Sequence, residues 1–138
     1  MFKRIPALTI GALLLLSLNG CSNWLGKVNI FPVEQDVTLG KQVSASFEQG
    51  NASVILDSAK NSVLYRYIYD IRDSILKTNL LTHKDDFAWR IRIIHNDTIQ
   101  NAFCTPGGFV YVYTGLMKYL EGEDQLAGVM GHEMAHAE

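Results

Sequence analysis

The string "GHEMAHAE", residues 131–138, sets two imidazoles four residues apart with a carboxylate directly after the first. On an α-helix four residues turn through about 400°, so His132 and His136 share one face about one turn apart. Two imidazoles in that relation can reach one tetrahedral zinc ion at about 2.0–2.1 Å. Glu133, one step along, can project toward a metal-bound water without binding the metal. Zinc lowers the pKa of such a water to about 7. The carboxylate can then take its proton and later deliver it to a leaving amine. The chemistry that this spacing suggests is peptide-bond hydrolysis, with Glu133 as general base and His132 and His136 as metal ligands. The bland alternative is an exposed helix end that carries two unrelated histidines. His83 and His95 each stand alone, in or beside a turn, and read as solvated rather than ligating.

A helix must carry this site and a scaffold must hold it. "QLAGVMGHEMAH" reads as the last helix, with Glu123 or Asp124 as its N-cap or first-turn acid. Gly128 and Gly131 each cost a helix interior about 1 kcal/mol relative to alanine, which is understandable if another backbone or a cofactor packs close. Upstream, residues 34–49 predict a first helix, capped by Asp36 or Thr38 and ended by Gly50-Asn51. Residues 53–78 predict a second, because Leu64, Tyr67, Ile68, Ile71 and Ile75 fall on one stripe. The period then changes. Phe87, Trp89, Ile91 and Ile93 alternate with Ala88, Arg90 and Arg92, a half-buried strand. Asn96-Asp97 and Pro106-Gly107-Gly108 mark turns, "FVYVY" a second strand, and "LMKYL" a short helix. The order helix, helix, strand, strand, helix is an α+β pattern.

The first twenty residues stand apart from this fold. Lys3 and Arg4 precede the apolar run "IPALTIGALLLLSL", which is shorter than the roughly 20 residues of a membrane span and reads as a signal peptide. It is followed by "LNGC", which resembles the lipobox of bacterial lipoproteins, with Leu18 and Gly20 before the cut and Cys21 as the lipidated residue. Acyl chains contribute about 0.8 kcal/mol per buried methylene, so several on one cysteine anchor a protein to a membrane. Ser22 follows, where an aspartate would resemble an inner-membrane retention signal. The expected location is therefore the outer membrane, facing the periplasm. Residues 21–33 read as a tether, and residues 34–138 as the folded part. Without residues 1–20, which hold Lys3 and Arg4, 118 of the 138 residues remain and the formal charge falls from −2 to −4. No basic stripe offers a footprint for nucleic acid. With Cys21 lipidated, Cys104 has no partner in the chain, and it reads as a small buried hydrophobe.

The stretches "NAFCTPGGFVYVYTGLM" and "EDQLAGVMGHEMAHAE" carry a resemblance. They are similar to the zinc metallopeptidases that include HtpX and the CAAX prenyl protease, whose soluble bacterial members are periplasmic lipoproteins. The shared pattern is N-A-F-x-x-P-G-G, a strand, T-G-L, and a D-E-L-A start to the H-E-x-x-H helix. Asn101, Ala102, Phe103, Pro106, Gly107, Gly108, Thr114, Gly115 and Leu116 fill it here, and Gln125 departs from it. The resemblance spans residues 39–138 and implies a zincin-like (gluzincin) fold with one zinc ion. It also implies that the strand 109–113 is the active-site edge strand, on which extended substrate would pair by β-augmentation through Phe109, Val110 and Tyr111. Gly107 and Gly108 would let the chain approach the cleft, and Asn101 would shape the loop. The family's third ligand is a glutamate on a later helix, tens of residues beyond the second histidine. Glu138 lies about 200° around the helix from His136 and does not replace it. Residues 34–138 are thus expected to be the N-terminal part of an incomplete metallopeptidase domain, and alone to hold zinc weakly and be inactive or nearly so.

The expected function is a zinc-dependent metalloendopeptidase acting on misfolded or envelope proteins, with unfolded or extended polypeptide as partner and the membrane reached through the lipid anchor. The rival from another class is a non-catalytic periplasmic lipoprotein scaffold or chaperone-like adaptor. It would use the same cleft to hold extended chains and would have no use for Glu133.

Overall fold

The computed structural model describes residues 32–138. The expected signal peptide, the expected lipidation of Cys21 and all but the last two residues of the expected tether 21–33 lie outside the described residues. The alternation that predicts a strand holds: Phe87, Trp89, Ile91 and Ile93 are all buried. The strand itself, β1 (Arg90–Ile94), starts after Trp89, whose backbone turns through a positive φ of 42°. Before it come α1 (Val33–Gly50) and α2 (Ser62–Lys77). After it come β2 (Ala102–Thr105), β3 (Phe109–Tyr113), α3 (Thr114–Tyr119) and α4 (Glu123–His136). The class is α+β, as the element order predicts. The strands form one sheet in the order β1-β3-β2, with β1 parallel and β2 antiparallel to β3.

Side chains leave a sheet on alternate faces, and each face here meets its own layer. Ile91, Ile93, Ala102, Val110 and Val112 pack with Tyr65, Ile68 and Ile71 of α2 and with Leu126, Met130 and Met134 of α4. On the other face Ile94, Phe109 and Tyr111 pack with Phe47 of α1, Phe103 and Tyr113. A polar clamp completes that second interface. The Ser44 and Tyr111 hydroxyls lie 2.7 Å apart, and the Glu48 carboxylate accepts from Arg90 and, at 3.3 Å, from Arg92 Nε. Burial alone would raise the Glu48 carboxyl. The charges of Arg92 and Arg90, with hydrogen bonds from Arg90 and Ser44, outweigh that and hold it below its usual range.

Gly40 allows α1 to sit this close to the sheet. A Cβ there would lie 1.7 Å from the carbonyl oxygen of Pro106. The capping expected of Asp36 or Thr38 is not found. Pro32 is the N-cap, Asp36 sits in the first turn, and Thr38 Oγ1 donates to the Glu34 carbonyl at 2.8 Å.

The second helix begins later than its stripe suggests. The segment before Ser62 serves the sheet instead: Leu56 N–H donates to Ile93 O at 2.9 Å, and His95 N–H donates to Val54 O at 2.7 Å. Asp57 then accepts from the N–H groups of Ala59 and Lys60, a local turn that competes with helix. The tyrosines of α2 finish the same edge. Tyr65 Oη accepts from Ile93 N–H and Tyr69 Oη from Ile91 N–H, both at 3.2 Å, and Arg72 donates to Trp89 O at 3.1 Å. The outer edge of β1 is therefore occupied, and among the described residues no strand pairs with the outer edge of β2.

Candidate metal centre and active site

Helix α4 starts at the N-cap Gly122, with Glu123 and Asp124 as first-turn acids and Gln125 Oε1 accepting from Glu121 N–H at 2.9 Å. Its buried stripe is Leu126, Met130 and Met134, continued by Ala137 at the C-cap. At 100° per residue, His132 and His136 fall about 40° apart on the exposed side, and Glu133 falls between them and the buried stripe. The helix thus presents both rings to solvent and turns the carboxylate toward the sheet.

The two rings converge. His132 Nε2 and His136 Nε2 are 3.0 Å apart, with ring planes at 88°. Two nitrogens bound to one tetrahedral zinc at about 2.0–2.1 Å stand roughly 3.3 Å from each other. The pair fits a common divalent ion with a shift of a few tenths of an ångström. Among the described residues no group of three histidine, cysteine or acidic side chains converges as a complete metal site. Glu138 turns elsewhere, and its carboxylate accepts from His83 N–H at 2.7 Å. His83 also pairs through Nδ1 with Asp86 at 3.1 Å, and His95 is exposed; neither joins the centre.

Glu133 is half-buried on a helix that packs against β2, near enough for its charge to act on Cys104. The Cys104 thiol on that strand is pushed up to about 12, chiefly by burial and then by the negative charge of Glu133. Cys104 therefore stays a neutral thiol beside the carboxylate, partly buried against the core as its apolar context predicts. Gly128 and Gly131 have open space where a Cβ would go, so among the described residues no backbone packs against them.

The structure corrects the expected substrate strand. β3 is the central strand, paired on both sides, and Val110 and Tyr111 are fully buried with Phe109 nearly so. It has no free backbone edge to offer. Gly107 and Gly108, at φ 75° and 80°, make room for the protein's own chain rather than for a cleft: Cβ atoms there would lie 3.0 Å from Val37 Cα and 2.9 Å from Trp89 N. Asn101 is exposed, and its carbonyl accepts from Tyr113 N–H at 3.1 Å, opening the β2–β3 ladder.

The edge that sequence reasoning missed is β2 itself. In its antiparallel register Asn101, Phe103 and Thr105 turn their backbone groups to β3. Those of Ala102 and Cys104 are left on the outer side. Four residues between two turn signals are too few to show alternation. The T-P-G-G turn, which closes a hairpin onto "FVYVY", was the available signal.

Helix α4 carries the H-E-x-x-H residues, and the description "Peptidase family M48" matches residues 66–138, which include β1 to β3, α3 and α4. The chain belongs to that family. Membership implies a metal cofactor. Similar proteins include the mitochondrial metalloendopeptidase OMA1 of Arabidopsis thaliana, 38% identical over 56 residues, covering 41% of this chain and 11% of the relative. The OMA1 metalloendopeptidase of Danio rerio is 39% identical over 96 residues, 64% of this chain and 20% of the relative. The beta-barrel assembly-enhancing protease of Escherichia coli K12 is 48% identical over 44 residues, 32% and 9% respectively. The matched stretches are thus a fifth or less of the length of these family members.

Proposed function

We propose that this protein is a zinc-dependent metalloendopeptidase of zincin-like (gluzincin) fold that cleaves misfolded or envelope proteins. The observation that carries the reading is the 3.0 Å approach of the two Nε2 atoms, with Glu133 one residue along the same helix and turned toward the open strand. His132 and His136 would hold the zinc ion, and the resemblance assigns the third protein ligand to a glutamate of a later helix. Zinc, when bound, polarises a peptide carbonyl and makes water acidic enough to lose a proton near neutral pH. Glu133 takes that proton at its carboxylate and delivers it to the departing amine. Cys104 keeps its own proton and so does not compete as a base. The backbone N–H and C=O groups of Ala102 and Cys104 align an extended substrate along β2, next to Glu133.

The lipobox resemblance at Leu18 to Cys21 supports a lipid-anchored protein on the periplasmic face of the outer membrane. Cys21→Ser should move it from the membrane fraction to the soluble fraction; unchanged fractionation would refute the anchor.

The activity is tested on an unfolded substrate such as casein. Where the third ligand is present, chelation should abolish cleavage and stoichiometric zinc should restore it. Cleavage that persists without metal would exclude the reading and favour another chemistry. Casein binding that needs neither zinc nor Glu133, with no cleavage under any condition, would favour the adaptor.

A further inference from the structure

We propose that Leu39 and Val43 of α1 determine specificity, selecting extended polypeptides with apolar side chains at alternate positions. The inference rests on the reading that substrate pairs with the outer edge of β2. A strand added there sends its side chains alternately to the α4 face, where Glu133 lies, and to the α1 face. The question is what the second set meets.

The orientation of α1 over the sheet answers it. Glu48 reaches Arg90 and Arg92 of β1, so that flank of the helix overlies β1. Phe47 meets Phe103 of β2 edge-on at 5.3 Å, and Gly40 rests on Pro106, so the opposite flank overlies β2. Each step of four residues back along a helix moves about 40° around it. From Phe47, Val43 lies one such step farther past β2, and Leu39 one more. These two are the exposed large hydrophobics of α1, at 42% and 51% exposure. Other exposed positions of this helix are mostly polar: Gln35, Thr38, Lys41, Gln42, Ser46 and Gln49. Leu39 and Val43 thus continue the β2 flank of α1 from Phe47, which packs on Phe103, and among the described residues nothing pairs with the outer backbone groups of Ala102 and Cys104. Folding leaves Leu39 and Val43 half uncovered, so neither residue is spent on the core. The adjacent edge identifies the occupant as an extended chain, because only a strand supplies backbone donors and acceptors in register with Ala102 and Cys104.

The test uses the double variant Leu39→Ser/Val43→Ser and two peptides of otherwise equal sequence, one with leucine or valine and one with serine at the alternate positions. The zinc-loaded protein should prefer the apolar peptide by kcat/KM, and the double variant should lose about tenfold of that preference. Leu39→Ile/Val43→Ile should retain it. Anisotropy of the labelled peptides on the Glu133→Gln protein gives a second readout without turnover and should show the same loss. Equal preference in parent and double variant, with both peptides bound, would overturn the role of Leu39 and Val43 while leaving the β2 edge standing. Failure of the Glu133→Gln protein to bind either peptide would overturn the edge reading and this inference with it.

Discussion

Glu133→Gln is expected to lower casein cleavage by about a hundredfold to ten-thousandfold, the range that general acid–base groups contribute. The amide matches the carboxylate in shape, so α4 keeps its buried stripe of Leu126, Met130 and Met134. It cannot accept a proton at neutral pH, and that loss is the whole of the intended change. Zinc affinity should stay close to that of the parent, because His132 and His136 supply the nitrogens. A variant that loses activity and zinc together would mean that Glu133 binds metal. One that keeps activity would remove it from the role of base.

The second large effect concerns the fold. Alanine is normally the better helix residue by about 1 kcal/mol, so Gly40→Ala would be stabilising on propensity alone. The structure reverses the sign. The new Cβ would lie 1.7 Å from the Pro106 carbonyl oxygen, a rigid backbone atom in the turn that joins β2 to β3. Helix α1 must lift from the sheet, loosening the Ser44–Tyr111 contact and the Glu48–Arg90 pair. We expect a loss of about 3 kcal/mol and a fall in Tm of more than about 10 °C. Gly128→Ala is the internal contrast. Nothing lies within 4 Å of its added carbon, so it should gain up to about 1 kcal/mol. Equal thermal shifts for the two variants would contradict the described seat of α1.

The parts legible in the sequence were those written in local periodicity. Ile68 and Ile71 sit where a helical stripe puts them, and Ile91 and Ile93 where alternation does. The spacing of His132 and His136 was enough to foresee a shared face, because four residues on a helix leave little freedom. Pairing between strands was not legible. "FVYVY" is apolar throughout, which suits a central strand flanked on both sides as much as an edge strand; the resemblance favoured the edge, and the register places it in the centre. Residues 53–61 are not helical, because Leu56 bonds to Ile93 of β1 and Val54 to His95 just beyond it, a long-range choice that helix propensity does not encode. Tyr65 and Tyr69 of α2 stack on each other, ring centroids 6.4 Å apart. Their hydroxyls do more, closing the β1 edge of the sheet, so that the proposed addition of an extended chain falls to β2.

The most direct test of the central claim is anomalous diffraction at the zinc edge from crystals of the zinc-loaded protein. The account predicts one ion within about 2.0–2.1 Å of both His132 Nε2 and His136 Nε2, with the Glu133 carboxylate outside the ligand set. An ion held by one histidine alone, separate ions on the two rings, or Glu133 bound directly to the metal would contradict it.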